Sequence, residues 1–158
     1  MRFFSTTAME NIEGISNTAV STLDLDSAKI AIKARNNSFV FPNKLMQDHF
    51  NENYMESETY PFSSFSGKLT RLDRPALDSG RTIPVTLDGI LEVHGVKKNY
   101  VVAGTLKKNA DGSYQGETKF PVKIADHGIK IPTIVAAKIA ESMDITARFT
   151  WHAAEASK

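Results

Sequence analysis

The sequence predicts an all-β protein: a single antiparallel β-barrel of about eight strands with one or two short helices, covering residues 1–158 as one domain. Three observations predict it. The second half alternates apolar and polar residues with a period of two over long runs. Turn residues separate those runs at short intervals. Only two short stretches have a helical period, so the chain is not a series of βαβ units. Consecutive two-faced strands joined by turns give an antiparallel sheet, and closing it removes the exposed edges that invite aggregation.

The composition agrees. The chain has 158 residues, 41% hydrophobic and 23% charged, ordinary usage for one globular domain that can bury a core unaided. Nineteen basic against eighteen acidic residues leave a net charge of +1. Nucleic-acid binders carry a basic excess to neutralise phosphates, so nucleic acid is not an expected partner. The absence of cysteine removes disulfides, thiolate nucleophiles and thiolate metal ligands together. No run is long and apolar enough for an integral membrane segment, and the opening residues are not a signal peptide.

Taken in order, Ile12 to Val20 predicts a strand and Asp24 to Ser27 a turn. Ala28, Ile30, Ile32 and Ala34 then share one face, with Lys29, Lys33 and Arg35 opposite. Asn36-Asn37 breaks the phase, and Phe39 and Phe41 follow on the other parity, which predicts a bulge or a sharp bend. Asn43, behind Pro42, is the expected N-cap of a helix reaching Ser57. Met46, Phe50 and Tyr54 form its apolar stripe. Phe65 and Leu69 share a face on a strand from Phe62 to Thr70. Arg71 to Arg81 reads as a loop.

Ile83, Val85, Leu87, Leu91 and Val93 then alternate with polar residues up to a tight turn at His94-Gly95. The next strand puts Val96, Tyr100, Val102 and Leu106 on one face and ends at the turn Asn109 to Gly112. Tyr114, Thr118, Phe120, Val122 and Ile124 alternate with Gln115, Glu117, Lys119 and Lys123. Gly116 on the apolar face allows a bend, and Pro121 on the polar face marks an edge or a bulge. Pro132 opens a second helix through Ile134, Val135, Lys138 and Ile139. The last strand alternates Met143, Ile145, Ala147, Phe149 and Trp151 with Asp144, Thr146, Arg148, Thr150 and His152.

Three segments carry a family resemblance: FVFPNKLMQDHFNENYMESETYP from Phe39 to Pro61, GILEVHGVKK from Gly89 to Lys98, and FPVKIADHGI from Phe120 to Ile129. In that order they resemble the YceI-like family, especially its Bacteroidetes-type branch. The resemblance spans most of the chain. It implies a lipocalin-like barrel whose lumen takes up polyisoprenoids or similar amphiphiles, in the periplasm or secreted. Members carry a leader and the front of the first strand; measured against them, this chain begins inside that strand, near Arg2-Phe3-Phe4-Ser5.

With the resemblance, the candidate lining of the lumen is Ile32, Phe39, Phe41, Phe65, Leu91, Tyr100, Val102, Tyr114, Phe120, Phe149 and Trp151. Leu45, Met46, Phe50, Tyr54 and Met55 form a lid over one mouth, or a permanent plug. The expected partner is a small amphiphilic lipid: a polyisoprenoid, a quinone or an acyl lipid. No cofactor is expected beyond that guest, and a homodimer is left open. A chain losing about 600 Å² of apolar surface gains roughly 15 kcal/mol against an association cost of about 4–15 kcal/mol, enough for micromolar binding.

His49, His94, His127 and His152 form no ligand cluster and read as surface or turn residues. No nucleophile elbow, metalloprotease motif, phosphate loop or dinucleotide fingerprint is present, so no catalytic residue is expected. The alternatives are a filled barrel acting through its surface and, with least support, a barrel isomerase or cyclase.

Overall fold

The structure, a computed structural model, describes residues 2–6, 11–42, 44–129 and 142–152. Nine strands among them form one antiparallel sheet: β1 (Arg2–Thr6), β2 (Asn11–Ile15), β3 (Val20–Asp24), β4 (Lys29–Arg35), β5 (Phe62–Thr70), β6 (Ile83–Val93), β7 (Val96–Lys108), β8 (Tyr114–Lys123) and β9 (Ser142–Trp151). Their order is β2-β1-β9-β8-β7-β6-β5-β4-β3. The two outermost strands, β2 and β3, are consecutive in the chain with only Ser16 to Ala19 between them. The sheet must therefore curl on itself, and the end of β9 beyond its pairing with β1 comes up to β3, where Trp151 donates from Nε1 to Ser21 Oγ at 3.1 Å.

The expected strand from Ile12 to Val20 is corrected here: it is two strands separated by a kink. Ser16 is buried at the kink and its Oγ lies 2.6 Å from Ser38 Oγ. Ile15 and Val40 exchange both main-chain hydrogen bonds, at 3.1 and 2.8 Å. Side-chain bonding and this bridge occupy backbone groups that a continuous ladder would have used.

Strand periodicity becomes burial in β4, where Ile30, Ile32 and Ala34 are buried and Lys29, Lys33 and Arg35 exposed. The phase break at Asn36 is a sharp bend, a 3-10 turn over Asn36–Ser38. His94-Gly95 makes the tight β6–β7 turn with φ of 55° and 73°, the left-handed pair that right-twisted hairpins require. Gly67 and Gly89 face each other across β5 and β6. A Cβ on Gly67 would stand 2.6 Å from the Gly89 Cα, so these strands touch at a point closed to any side chain.

The expected helix over 43–57 is shorter than its pattern: α1 covers Lys44–His49 and continues as a π-turn over Phe50–Tyr54. Asn43 and the helix expected after Pro132 lie outside the described residues. The loop expected over 71–81 contains a second helix, α2 (Arg74–Asp78). Asp73 accepts from the Ala76 N–H at 3.2 Å and Pro75 sits in the first turn, a start signal overlooked in the sequence. Leu77 is wholly buried in the core as a result.

β7 and β8 pair only from Gly104 to Lys108 against Thr118 to Tyr114. Beyond this fork, Lys119 to Lys123 are laddered to β9 alone. Pro121, which cannot donate a ladder hydrogen bond, occurs on this locally one-sided stretch. At the fork, the Thr118 hydroxyl donates to Ala103 O at 2.7 Å.

Candidate ligand-binding lumen

Inward-facing residues of β3 to β9 and of the segment after β4 line two apolar voids in line along the barrel. The upper void, about 60 Å³, is lined by Ile32, Phe39, Phe50, Met55, Phe65, Leu91, Val93, Val102, Phe120, Val122, Met143, Ile145 and Ala147, with Asn36, Ser63 and Thr118 among them. The lower void, about 20 Å³, is bounded by Leu23, Ile30, Leu69, Val85, Leu106, Gly116, Phe149 and Trp151. Ile32, Leu87, Thr118 and Ala147 belong to both.

The capping segment after β4 closes the upper end. Phe50 lies between Phe39 and Phe41, at ring distances of 5.9 and 4.9 Å. The Phe41 N–H donates to Gln47 Oε1 at 3.1 Å. Met55 follows the π-turn and is buried against the same cluster. The exit from the cap is fixed by Asn36, only 1% exposed. Its Nδ2 donates to Tyr60 O and its Oδ1 accepts from the Ser63 hydroxyl, both at 2.6 Å, while its N–H donates to Pro61 O. These buried polar groups are bonded to one another, as burial demands, leaving apolar groups to form the wall.

A second network holds the cap from outside. His94 Nε2 lies 2.5 Å from Glu56 Oε2, and its Nδ1 is 3.1 Å from His127 O. Both partners are oxygens that accept, so the imidazole bridges the cap to the segment after β8. The Tyr60 ring packs on His94 at 4.5 Å. His127, wholly buried, donates from Nδ1 to Val96 O and accepts at Nε2 from the Tyr100 hydroxyl, each at 3.0 Å. Tyr100 also stands 5.9 Å from Phe120. Together these side chains seal the slit left where β7 and β8 part. Burial, and secondly the Asp126 carboxylate, push the Tyr100 hydroxyl above the ordinary tyrosine range. The reading of His94 and His127 as surface or turn histidines is corrected: they sit at turns, but are enclosed and bonded because three connections converge on them.

Of the lining candidates, Ile32, Phe39, Phe50, Phe65, Leu91, Val102 and Phe120 line the upper void, and Phe149 and Trp151 the lower. Phe41 and Met46 instead pack behind Phe50 in the cap cluster. Tyr100 seals the slit. Tyr114 packs at the far end, with Lys108 Nζ 5.8 Å from its ring. Leu45 is 63% exposed, one position off the helix stripe, and leaves the lining set. The Tyr54 side chain lies outside the described residues. Met143, Ile145, Ala147 and Val122, whose parity already placed them on this face, join the lining, as do Asn36 and Ser63, whose polarity hid their burial.

Among the described residues no group of three or more His, Asp or Glu side chains is disposed to hold a metal, and no helix is long and apolar enough to cross a membrane.

Comparison with solved structures returns the same architecture. A polyisoprenoid binding domain from Saccharophagus degradans implicated in plant cell wall breakdown matches with a TM-score of 0.81 at 13% identity, over 97% of this chain and 92% of that one. Burkholderia cenocepacia BcnA matches at 0.79 and 14% identity, over 96% and 94%. A Campylobacter jejuni YCEI protein matches at 0.71 and 19% identity, over 92% and 87%. No curated protein matches the chain. The family model described as YceI-like domain matches residues 2–151, which take in every strand of the sheet and both voids, and the chain therefore belongs to the YceI-like family.

Proposed function

We propose that the protein binds the hydrocarbon chain of an amphiphile, a polyisoprenoid, quinone or acyl lipid, in its lumen. It acts as a non-catalytic carrier or store in the periplasm or outside the cell. The observation that carries this reading is the apolar chamber under a cap built largely from Phe39, Phe50 and Met55. The family supports it, as does the likeness in fold to a polyisoprenoid binding domain.

Volume sets the condition on this function. The upper void of about 60 Å³ is under half of the roughly 150 Å³ that admits a benzene. A prenyl or acyl chain enters only if the cap draws back. Met55 and Met143 are suited to that repacking, since a flexible thioether side chain fits many apolar shapes. Native mass spectrometry and organic extraction of the purified protein test the proposal. A co-purifying lipid, or saturable uptake of added prenyl alcohol, is the expected result. A protein that stays empty and refuses prenyl and acyl chains overturns it.

The small void favours one second reading, a filled barrel that works through its outer surface. In that case substitutions on the outer strand faces abolish function in the cell, while Phe50→Leu, which alters the cap and the void beneath it, leaves it intact.

A further inference from the structure

We propose that the lumen measures the length of its guest, with Ala147 at a waist, the lower void as a seat for the chain's end, and Trp151 as the floor. The inference rests on the lumen being the binding site proposed above.

The two voids lie along the same strands. On β9 the inward residues run Met143 and Ile145 in the upper void, Ala147 in both, then Phe149 and Trp151 in the lower. On β8 the order is Val122 and Phe120, then Thr118 in both, then Gly116. Thr118 and Ala147 are register partners across the β8–β9 ladder, so the waist is one rung of the sheet. Met143 and Trp151 are separated by about 27 Å of strand at roughly 3.4 Å per residue.

The two ends differ in what can move. At the cap, methionine and phenylalanine side chains meet the void. At the floor, the Trp151 indole lies over Gly116, where a Cβ would stand 2.7 Å from the ring. Its Nε1 is tied to Ser21 Oγ, which itself donates to Ala31 O at 2.8 Å. A chain entering at the cap therefore meets a fixed stop. The lower void of about 20 Å³ is near the size that holds one water, so it seats a terminal methyl group and little more. Asn36, Ser63 and Thr118 already have their hydrogen-bond partners within the protein. A polar head group consequently stays at the cap end, and the recognised class is a single-ended hydrocarbon tail.

The test uses the whole chain and two graded series of probes, prenyl alcohols of increasing isoprene number and n-alkanols, ranked by displacement of a fluorescent fatty acid. The wild-type protein is expected to show an upper length limit, and the two series distinguish methyl-branched from straight chains as the source. Ala147→Leu narrows the waist and should lower the limit. Trp151→Leu opens the floor and should raise it. Affinity for probes at the limit should change about tenfold, the discrimination that one or two methylenes provide. Circular dichroism and melting confirm folding, and Ala147→Val and Trp151→Phe serve if the larger changes fail to fold. A wild-type protein that binds the probes without an upper limit overturns the gauge and leaves binding intact. So do folded variants that keep the wild-type limit. A wild-type protein that binds neither series overturns the binding proposal, and the gauge with it.

Discussion

The capped end and the floor of this barrel solve the same problem with different chemistry. At the floor, one aromatic ring covers a glycine and a single hydrogen bond holds it. At the cap, two polar networks join four separate segments: Asn36 with Ser63 and Tyr60, and Glu56 with His94, His127 and Tyr100. An apolar closure costs little to build and is hard to open reversibly. A hydrogen-bonded closure can exchange its partners for water, which suits the end that must open under the proposed uptake of a guest.

This contrast can be broken by substitution. The largest effect is expected for His127→Ala, which leaves Val96 O and the Tyr100 hydroxyl without their partner and opens a small cavity. Denaturant unfolding should show a loss of about 3–5 kcal/mol. Trp151→Ala should cost about 3 kcal/mol at the floor by lost apolar packing. A double-mutant cycle sharpens the point: His127→Ala combined with Trp151→Ala should be additive, whereas His127→Ala with Tyr100→Phe should not. Gly116→Ala should cost about 1–3 kcal/mol, because the Trp151 indole must shift to admit the methyl group. Glu56→Gln should cost less than about 1 kcal/mol, as that carboxylate is half exposed, yet it should speed the exchange of a bound fluorescent lipid in stopped flow.

The two ends should also respond to opposite extremes of pH. Tyr100 at the capped end has its pKa raised by burial and by Asp126. Its contribution is complete below the ordinary value of 10.0 and is lost as pH rises through the folded value. Tyr100→Phe should flatten the alkaline limb of the stability curve. At the far end, the β3–β4 and β7–β8 turns contain Asp24 and Asp111. Asp24 is lowered by hydrogen bonds from the Ser27 side chain and then from the Ser27 and Asp26 N–H groups, and Asp111 chiefly by those from Ser113. A lowered carboxylate stabilises above its ordinary value of 3.8, and that contribution fades as pH falls through the folded value. Hydrogen exchange should therefore loosen these two hairpins first in acid and the Tyr100 region first in alkali.

Most of the barrel wall was legible because a two-residue period leaves little freedom: once β6, β8 and β9 are strands, Leu91, Phe120 and Ala147 must share a face. The β6–β7 turn was legible because His94-Gly95 can take two left-handed residues in a row. What periodicity could not show was tertiary choice. Asn36 and Ser63 are polar residues beside a bend, and nothing local says that they are buried against each other. Phe41 and Phe39 have the same parity, but only Phe39 reaches the void, because the bend and Phe50 intervene. The helix stripe identified Met46 and Phe50 but ended too late, since the π-turn changes the residue spacing and brings Met55 inward. His127 looked like a turn histidine, and only convergence of the β6–β7 turn on the segment after β8 encloses it.

The pairing of β1 with β9 has a consequence for the order of events in the protein's life. Phe3 is laddered to Ile145, so one wall of the barrel joins an early segment to a late one. Contacts of such sequence separation form slowly. The wall between β1 and β8 stays open until β9, which lies between them and ends at Trp151, has been made. Closure of that wall consequently follows the making of the last strand.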